Sequence, residues 1–348
     1  MAFWRIVLTA LGAQLIGLGG VGAFIGLAGA AQDFFLFSPG WFDLANNFIP
    51  LWLACVIVGG GFVLAALEPR RARTVLLSAA LVSGIVSGVP VATEFTHKWR
   101  MAREPRASGP ELKLLTFNAW NSSFAAYRGA VAVRDSGADV VALQEVDGLR
   151  PFLAALATLY PYQTPCEDGC SVIILSKVRP SAMGKILIPG ASLGPIANAG
   201  RGDVNLAHMT FPAADGRPIT LVTTHLRWPG PPIPYERQQD VLAHFIGGLP
   251  KGRLILTGDF NLTPWAFAMR RQDALLAPLN RVTRALPTWP AYFAVSNKVN
   301  PFPFLPLDHI YVGPEWQAQR VSRMSVYSSD HLPVLATLRL RTAADGAR

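Results

Sequence analysis

The chain is 348 residues long, enough for a membrane region followed by one sizeable domain. With 51% hydrophobic and only 15% charged residues it is too apolar for an ordinary soluble protein, so membrane segments are sought first. The formal net charge of +9 suits a partner that is polyanionic or bears phosphate.

Ile6–Ala31, Phe48–Leu67 and Thr74–Thr93 carry no charge. Each is long enough to cross a hydrocarbon core of about 30 Å, which takes roughly 20 residues. A cleaved signal peptide fits poorly, because the first run is long and two more follow it. Glycine patches such as Leu18-Gly-Gly and Gly59-Gly-Gly favour close helix approach in lipid. The loop Gln32–Asn47 has no Lys or Arg, whereas Arg5 precedes the first span and Arg70, Arg71 and Arg73 precede the third. That asymmetry puts the N-terminus in the cytoplasm. An odd number of spans then puts the remainder outside it, in the periplasm of an inner-membrane protein. Lys98, Arg100, Arg103 and Arg106 weigh against this orientation.

Residues 1–97 therefore read as a membrane anchor, 98–110 as a basic linker, 111–342 as a separate domain and 343–348 as a tail. In the domain, Leu112–Trp120 alternates as a strand does, Ala125–Ser136 suits a helix, and Asp139–Glu145 is an apolar strand. Cys166 and Cys170 flank a short loop and suit a disulfide in an oxidising compartment. No second Cys/His pair stands at zinc-ligand spacing. Further strands are expected at Ser171–Ser176, Val204–Phe211, Ile219–His225, Arg253–Asp259, His309–Val312 and Pro333–Leu340. Helices are expected at Tyr235–Ile246 and near Pro264–Arg271. The result is an α/β domain.

Polar residues stand where these strands end. Asn118 closes the first, Glu145 the second and His225 the strand Val222-Thr-Thr-His. Asp259 and Asn261 follow an apolar run, Asp308 opens another, and Asp330 and His331 precede the last. Rigid strands hold such groups while the loops admit substrate.

Thr116-Phe-Asn-Ala-Trp, Leu143-Gln-Glu-Val, Thr223-Thr-His-Leu, Thr257-Gly-Asp-Phe-Asn, Leu307-Asp-His-Ile and Ser329-Asp-His-Leu-Pro-Val occur in that order. The series resembles the endonuclease/exonuclease/phosphatase superfamily with its deoxyribonuclease I-like fold. The resemblance implies a four-layer α-β-β-α sandwich behind three transmembrane helices, and a metal-dependent hydrolase of phosphate esters. It implies Mg²⁺, with Mn²⁺ as a substitute, held by Glu145 with Asn118 and Asp330 beside it. Asp259 would orient or deprotonate the attacking water, and Asn261 would hold the phosphate or that water. His331 would contact a phosphoryl oxygen, Asp308 would hydrogen-bond this histidine, Asp330 would act near the metal, and His225 would assist proton transfer or bind phosphate. Lys177 is a further phosphate contact to test.

A nuclease is the leading expectation, with Trp228, Trp289 and Tyr292 available either to stack on bases or to pack loops. The alternatives are a sphingomyelinase-like lipid phosphodiesterase, a phosphomonoesterase, or a catalytically dead membrane scaffold. The complete polar set opposes the last. Gly190–Asp203, Trp228–Tyr235 and Asn280–Pro306 are the loops expected to select substrate. No protein partner is expected.

Overall fold

The computed structural model describes residues 2–29, 40–66, 70–166, 170–189, 203–213, 215–293, 296, 298–342 and 345. Residues 32–39 of the first loop, the C-terminal ends of the first two expected spans, the Glu-Asp-Gly between the domain's cysteines and most of the Gly190–Asp203 loop lie outside the described residues.

Four helices come first: α1 (Ala2–Ala28), α2 (Gly40–Asp43), α3 (Ile49–Ala66) and α4 (Arg70–Arg103). Next come β1 (Glu111–Asn118), α5 (Ser123–Asp135), β2 (Val140–Gln144), α6 (Leu153–Leu156), β3 (Tyr162–Gln163), β4 (Val172–Ser176), β5 (Ala182–Ile188), β6 (Val204–Phe211) and β7 (Ile219–His225). The rest are α7 (Pro232–Gly247), β8 (Leu254–Asp259), α8 (Phe267–Leu275), β9 (Asn280–Arg281), β10 (Tyr292–Phe293), β11 (Lys298–Val299), β12 (Asp308–Val312), β13 (Trp316–Arg323) and β14 (Val334–Leu340).

These elements form two compact units. One joins Met1–His97 to the segments Pro229–Ile233 and Thr263–Arg271, and the other holds Lys98–Trp228, Pro234–Leu262 and Gln272–Arg348.

In the first unit, Phe3–Ala28, Gly40–Ala66 and Arg71–Arg103 are long and apolar enough to cross a membrane, as the uncharged runs suggest. Helices α1 and α3 touch where both lack a side chain. A Cβ on Gly12 would lie 2.8 Å from the Gly59 carbonyl oxygen, and one on Gly59 would lie 2.8 Å from the Gly12 carbonyl oxygen. Helix α4 carries Pro90 and runs ten residues past the apolar stretch, into the expected linker.

The same unit ties the segment before α3 to residues 263–268. Both carboxylate oxygens of Asp43 accept N–H groups of α8, from Phe267 and Ala268, each at 2.8 Å. This caps the helix start, where N–H groups lack intrahelical partners. The Asn47 side-chain oxygen accepts the Thr263 N–H at 3.1 Å and its hydroxyl at 3.0 Å, while the Trp265 indole donates to the Asn47 carbonyl at 3.2 Å.

The second unit is built on two six-stranded mixed sheets, ordered β13-β14-β1-β2-β4-β3 and β5-β6-β7-β8-β12-β9, with β10 and β11 forming a separate small hairpin. Each large sheet has a single parallel pair near its centre, β1 with β2 and β7 with β8, and is antiparallel elsewhere. The sheets face each other across a core that includes Leu114, Val140 and Ile174 from one and Leu221, Ile255 and Ile310 from the other. Neighbouring positions point the opposite way. Leu115, Phe117, Val141 and Leu143 pack outward against Ala132 and Val133 of α5. Central strands buried on both faces read as unbroken apolar runs for this reason. Each fully buried large side chain contributes about 1.5–3 kcal/mol. The four-layer sandwich expected from sequence is thereby present.

Cys166 and Cys170 are joined by a disulfide, with Cα atoms 5.2 Å apart.

Candidate active site

Both parallel pairs end at the same place. In the first sheet β1 delivers Asn118 and β2 runs directly into Glu145. In the second, register sets His225 of β7 beside Asp259 of β8, and Asp308 of β12 opposite Asp259. The approach of β7 to β8 requires Gly258. Its φ is +150°, and a Cβ there would lie 1.9 Å from the Thr224 carbonyl oxygen. Left-handed backbone recurs around the site, at Trp120 (φ 56°), Glu145 (φ 52°), Asn261 (φ 52°) and Ser328 (φ 63°). Non-glycine residues pay of order 1–3 kcal/mol for such conformations, which persist where the surroundings fix them.

Asn118 sits at the centre, fully buried. Its amide nitrogen donates to Glu145 Oε1 and to Asp259 Oδ2, both at 2.9 Å. Its oxygen accepts the Trp120 N–H at 2.9 Å, so the amide presents hydrogens to the two carboxylates. Glu145 Oε2 accepts the Asn121 N–H at 3.1 Å. Asp259 Oδ1 accepts the Asn261 N–H at 2.8 Å, and the Asn261 amide nitrogen donates to the Leu226 carbonyl at 2.8 Å. His225 Nε2 lies 3.7 Å from Glu145 Oε1, 3.6 Å from Asp259 Oδ2 and 3.3 Å from the Asn261 amide nitrogen.

His331 enters from the loop before β14. Its Nδ1 pairs with Asp308 Oδ2 at 2.8 Å, and its Nε2 lies 3.6 Å from Asp259 Oδ2. The Ser329 hydroxyl fixes this loop, donating to the Asn118 carbonyl at 2.8 Å and accepting the His331 N–H at 3.1 Å. Asp330 Oδ2 accepts the Trp289 indole N–H at 3.0 Å.

Burial alone would strip the proton from His331, but the carboxylates of Asp308 and Asp259 outweigh it and raise its pKa to about 10. Burial raises Asp259 to about 6 against the pull of His331. Glu145 is also penalised by burial, yet hydrogen bonds from Asn118 and the Asn121 N–H carry it below the usual glutamate value. Asp330 is raised, chiefly by burial. The site thus pairs a firmly ionised glutamate and a charged histidine with an aspartate whose proton affinity lies near neutrality.

Among the described residues, Glu145, His225 and Asp259 place one ligand atom each within 4.8 Å of one another, as do Asp259, Asp308 and His331. The first group fits a divalent cation: two carboxylates supply charge and hard oxygen, and Glu145 is partly open to solvent. In the second, His331 Nδ1 and Asp308 Oδ2 are already committed to each other. Asp330 lies outside both groups.

Lys177 is a correction. β4 runs antiparallel to β2 with Ser176 opposite Val140, so Lys177 lies at the far end of the sheet from Glu145. There it donates to the Gly137 carbonyl at 3.3 Å and sits over the Tyr160 ring. The aromatics divide. Tyr292 is buried between Trp120 and Phe124, whereas Trp228 is 54% exposed and meets Trp289 edge-on at 5.9 Å. Sequence reasoning assigned nothing to Asn121, Ser329 or the Trp289–Asp330 bond. A serine two residues before the histidine was the one available signal.

Residues 115–331 match the model of the Endonuclease/Exonuclease/phosphatase family, more than half the chain. The chain belongs to the endonuclease/exonuclease/phosphatase family, and with it to the hydrolases of phosphate ester bonds. Three solved structures share the fold. An endonuclease/exonuclease/phosphatase from Beutenbergia cavernae is 19% identical with a TM-score of 0.52, over 68% of this chain and 73% of its own. D. rerio TDP2, complexed with single-strand DNA product, is 19% identical with a TM-score of 0.52, over 66% of this chain and 99% of its own. The Bacteroides vulgatus endonuclease/exonuclease/phosphatase is 17% identical with a TM-score of 0.53, over 67% of this chain and 100% of its own. No curated protein matches the chain.

Proposed function

We propose that this chain is a membrane-anchored, Mg²⁺-dependent phosphodiesterase that cleaves nucleic acid. The observation that carries the reading is the meeting of Glu145, His225, Asp259 and His331 at the ends of two sheets, the Nε2 of each histidine within 3.7 Å of a carboxylate oxygen. Glu145 holds the ion, Asp330 offers a further carboxylate, and Asn118 keeps the glutamate in place. When bound, the ion neutralises charge on the phosphoryl oxygens. Asp259 takes the proton of the attacking water, a role suited to a carboxylate whose pKa is raised to about 6. Asn261 holds the phosphate or that water, His331 donates to a phosphoryl oxygen, and His225 serves proton transfer to the leaving oxygen.

The net charge of +9 and the exposed ring of Trp228 support a nucleic-acid strand as the ligand. The full chain in detergent with Mg²⁺, offered single- and double-stranded DNA, RNA, sphingomyelin, phosphatidyl lipids and a bis-aryl phosphate, tests this. DNA or RNA cleavage with KM rising steeply with salt is expected. Cleavage of a lipid alone, insensitive to salt, would assign the headgroup instead.

The same reading places the catalytic unit outside the cytoplasm, with the chain in the inner membrane. Arg5 and the Arg70–Arg73 loop favour a cytoplasmic N-terminus. The disulfide favours an oxidising compartment. Asp43 and Asn47 hold residues 263–268, so the first loop and this stretch share a side of the membrane. Alkaline phosphatase fused after Arg348 should be active in cells and a fluorescent protein there dark; the reverse pattern refutes the orientation.

A further inference from the structure

Where α4 emerges from its apolar stretch, the second unit has a cavity of about 220 Å³. Lys98 and Met101 of α4, Arg284 and Leu286 after β9, and Arg320 and Val321 of β13 line it. Three cations face this space, its other lining groups are apolar or neutral, and no carboxylate is among them. Arg284 also reaches Asp273 at 3.7 Å, and Lys98 Nζ lies 3.4 Å from the Ala285 carbonyl oxygen. Arg320 is exposed.

We infer that this cavity binds the headgroup of an anionic phospholipid, with the phosphate against Lys98 and Arg320. The depth is right. The uncharged run of α4 ends at Thr93, and at a helical rise of 1.5 Å per residue Lys98 follows about 7 Å further along the axis. That is headgroup level, and the helix on either side of Lys98 carries Phe95 and Trp99, each 54% exposed, the ring types that settle at this interface. The composition is right as well: a basic pocket with an apolar wall beside a spanning helix is suited to an acidic lipid rather than to a zwitterionic one. The site also accounts for a cluster that opposes the charge rule for orientation. Lys98 and its neighbours Arg100 and Arg103 follow the third span because lipid phosphates lie there.

The test uses the full chain reconstituted in phosphatidylcholine bilayers with and without phosphatidylglycerol, with retained lipid counted by native mass spectrometry. The wild type should hold phosphatidylglycerol about tenfold over its share of the bilayer, and the Lys98→Gln/Arg320→Gln chain should lose that enrichment. Catalytic turnover on a soluble substrate in detergent should be unchanged, since neither residue touches the reacting groups. Should the double variant fail to fold, Arg320→Glu at its exposed position gives the same reading. Equal retention by variant and wild type, or no preference for the acidic lipid, would overturn the inference. So would inorganic phosphate raising the melting temperature as much as the lipid does, which would make the cavity a free-anion site.

Discussion

Asp259→Asn is expected to lower phosphodiester turnover by about a thousandfold while the chain stays folded. The substitution keeps the volume of a side chain that is almost wholly buried at the end of β8. It removes the group able to accept a proton where Asn118, His225 and His331 all converge on Oδ2. Asp259 accepts two hydrogen bonds, one on each oxygen, and the amide can accept only on one. Some stability is therefore lost as well, about 1–3 kcal/mol for a buried donor left without its partner. That loss shows as a lower melting temperature and leaves most molecules folded at room temperature. The loss of proton acceptance falls on kcat, with KM little changed, because the interaction matters only as the water is activated. A variant that keeps kcat within about tenfold of wild type would remove Asp259 from the base role.

How much of this was legible before the structure depended on where each element lies in its sheet. The central strands β2, β4 and β8 are buried on both faces and announce themselves as apolar runs. Missing from the sequence reading are the four strands at the edges of the large sheets, β3, β5, β9 and β13, and the two of the small hairpin, β10 and β11. β13, Trp-Gln-Ala-Gln-Arg-Val-Ser-Arg, is half polar because one side of an edge meets solvent, and charge there discourages pairing with other chains. Strand-end residues were legible for the converse reason: a carboxylate or histidine closing an apolar run has few structural uses. What they touch was not, since the contacts join residues far apart in sequence. The Ser329 hydroxyl on the Asn118 carbonyl and the Trp289 indole on Asp330 are of this kind. Lys177 was misplaced because a strand's direction, unlike its existence, leaves no mark in its own residues. Residues 263–271 read as part of the domain, yet they pack within the unit of the three long apolar helices through Asp43 and Asn47.

His331→Ala should cost turnover by about a hundred- to a thousandfold, the range seen when one preorganised donor to a developing oxyanion is deleted. The histidine is buried, its Nδ1 is held by Asp308 at 2.8 Å, and its backbone is pinned by Ser329. Only Nε2 remains to face substrate, on the side of Asp259. Asp308 acts through this ring and has no separate place in the proposed chemistry. Asp308→Asn should accordingly cost less than His331→Ala, because the amide oxygen can still accept from Nδ1 while losing the charge that favours imidazolium. The Asp308→Asn/His331→Ala double variant should be no slower than His331→Ala alone, since a partner with nothing left to orient contributes nothing further. Steady-state kinetics on the four chains decide the matter. Losses that multiplied in the double variant would show that Asp308 acts on the substrate or the ion directly, and the pair would have to be split into two independent contributors.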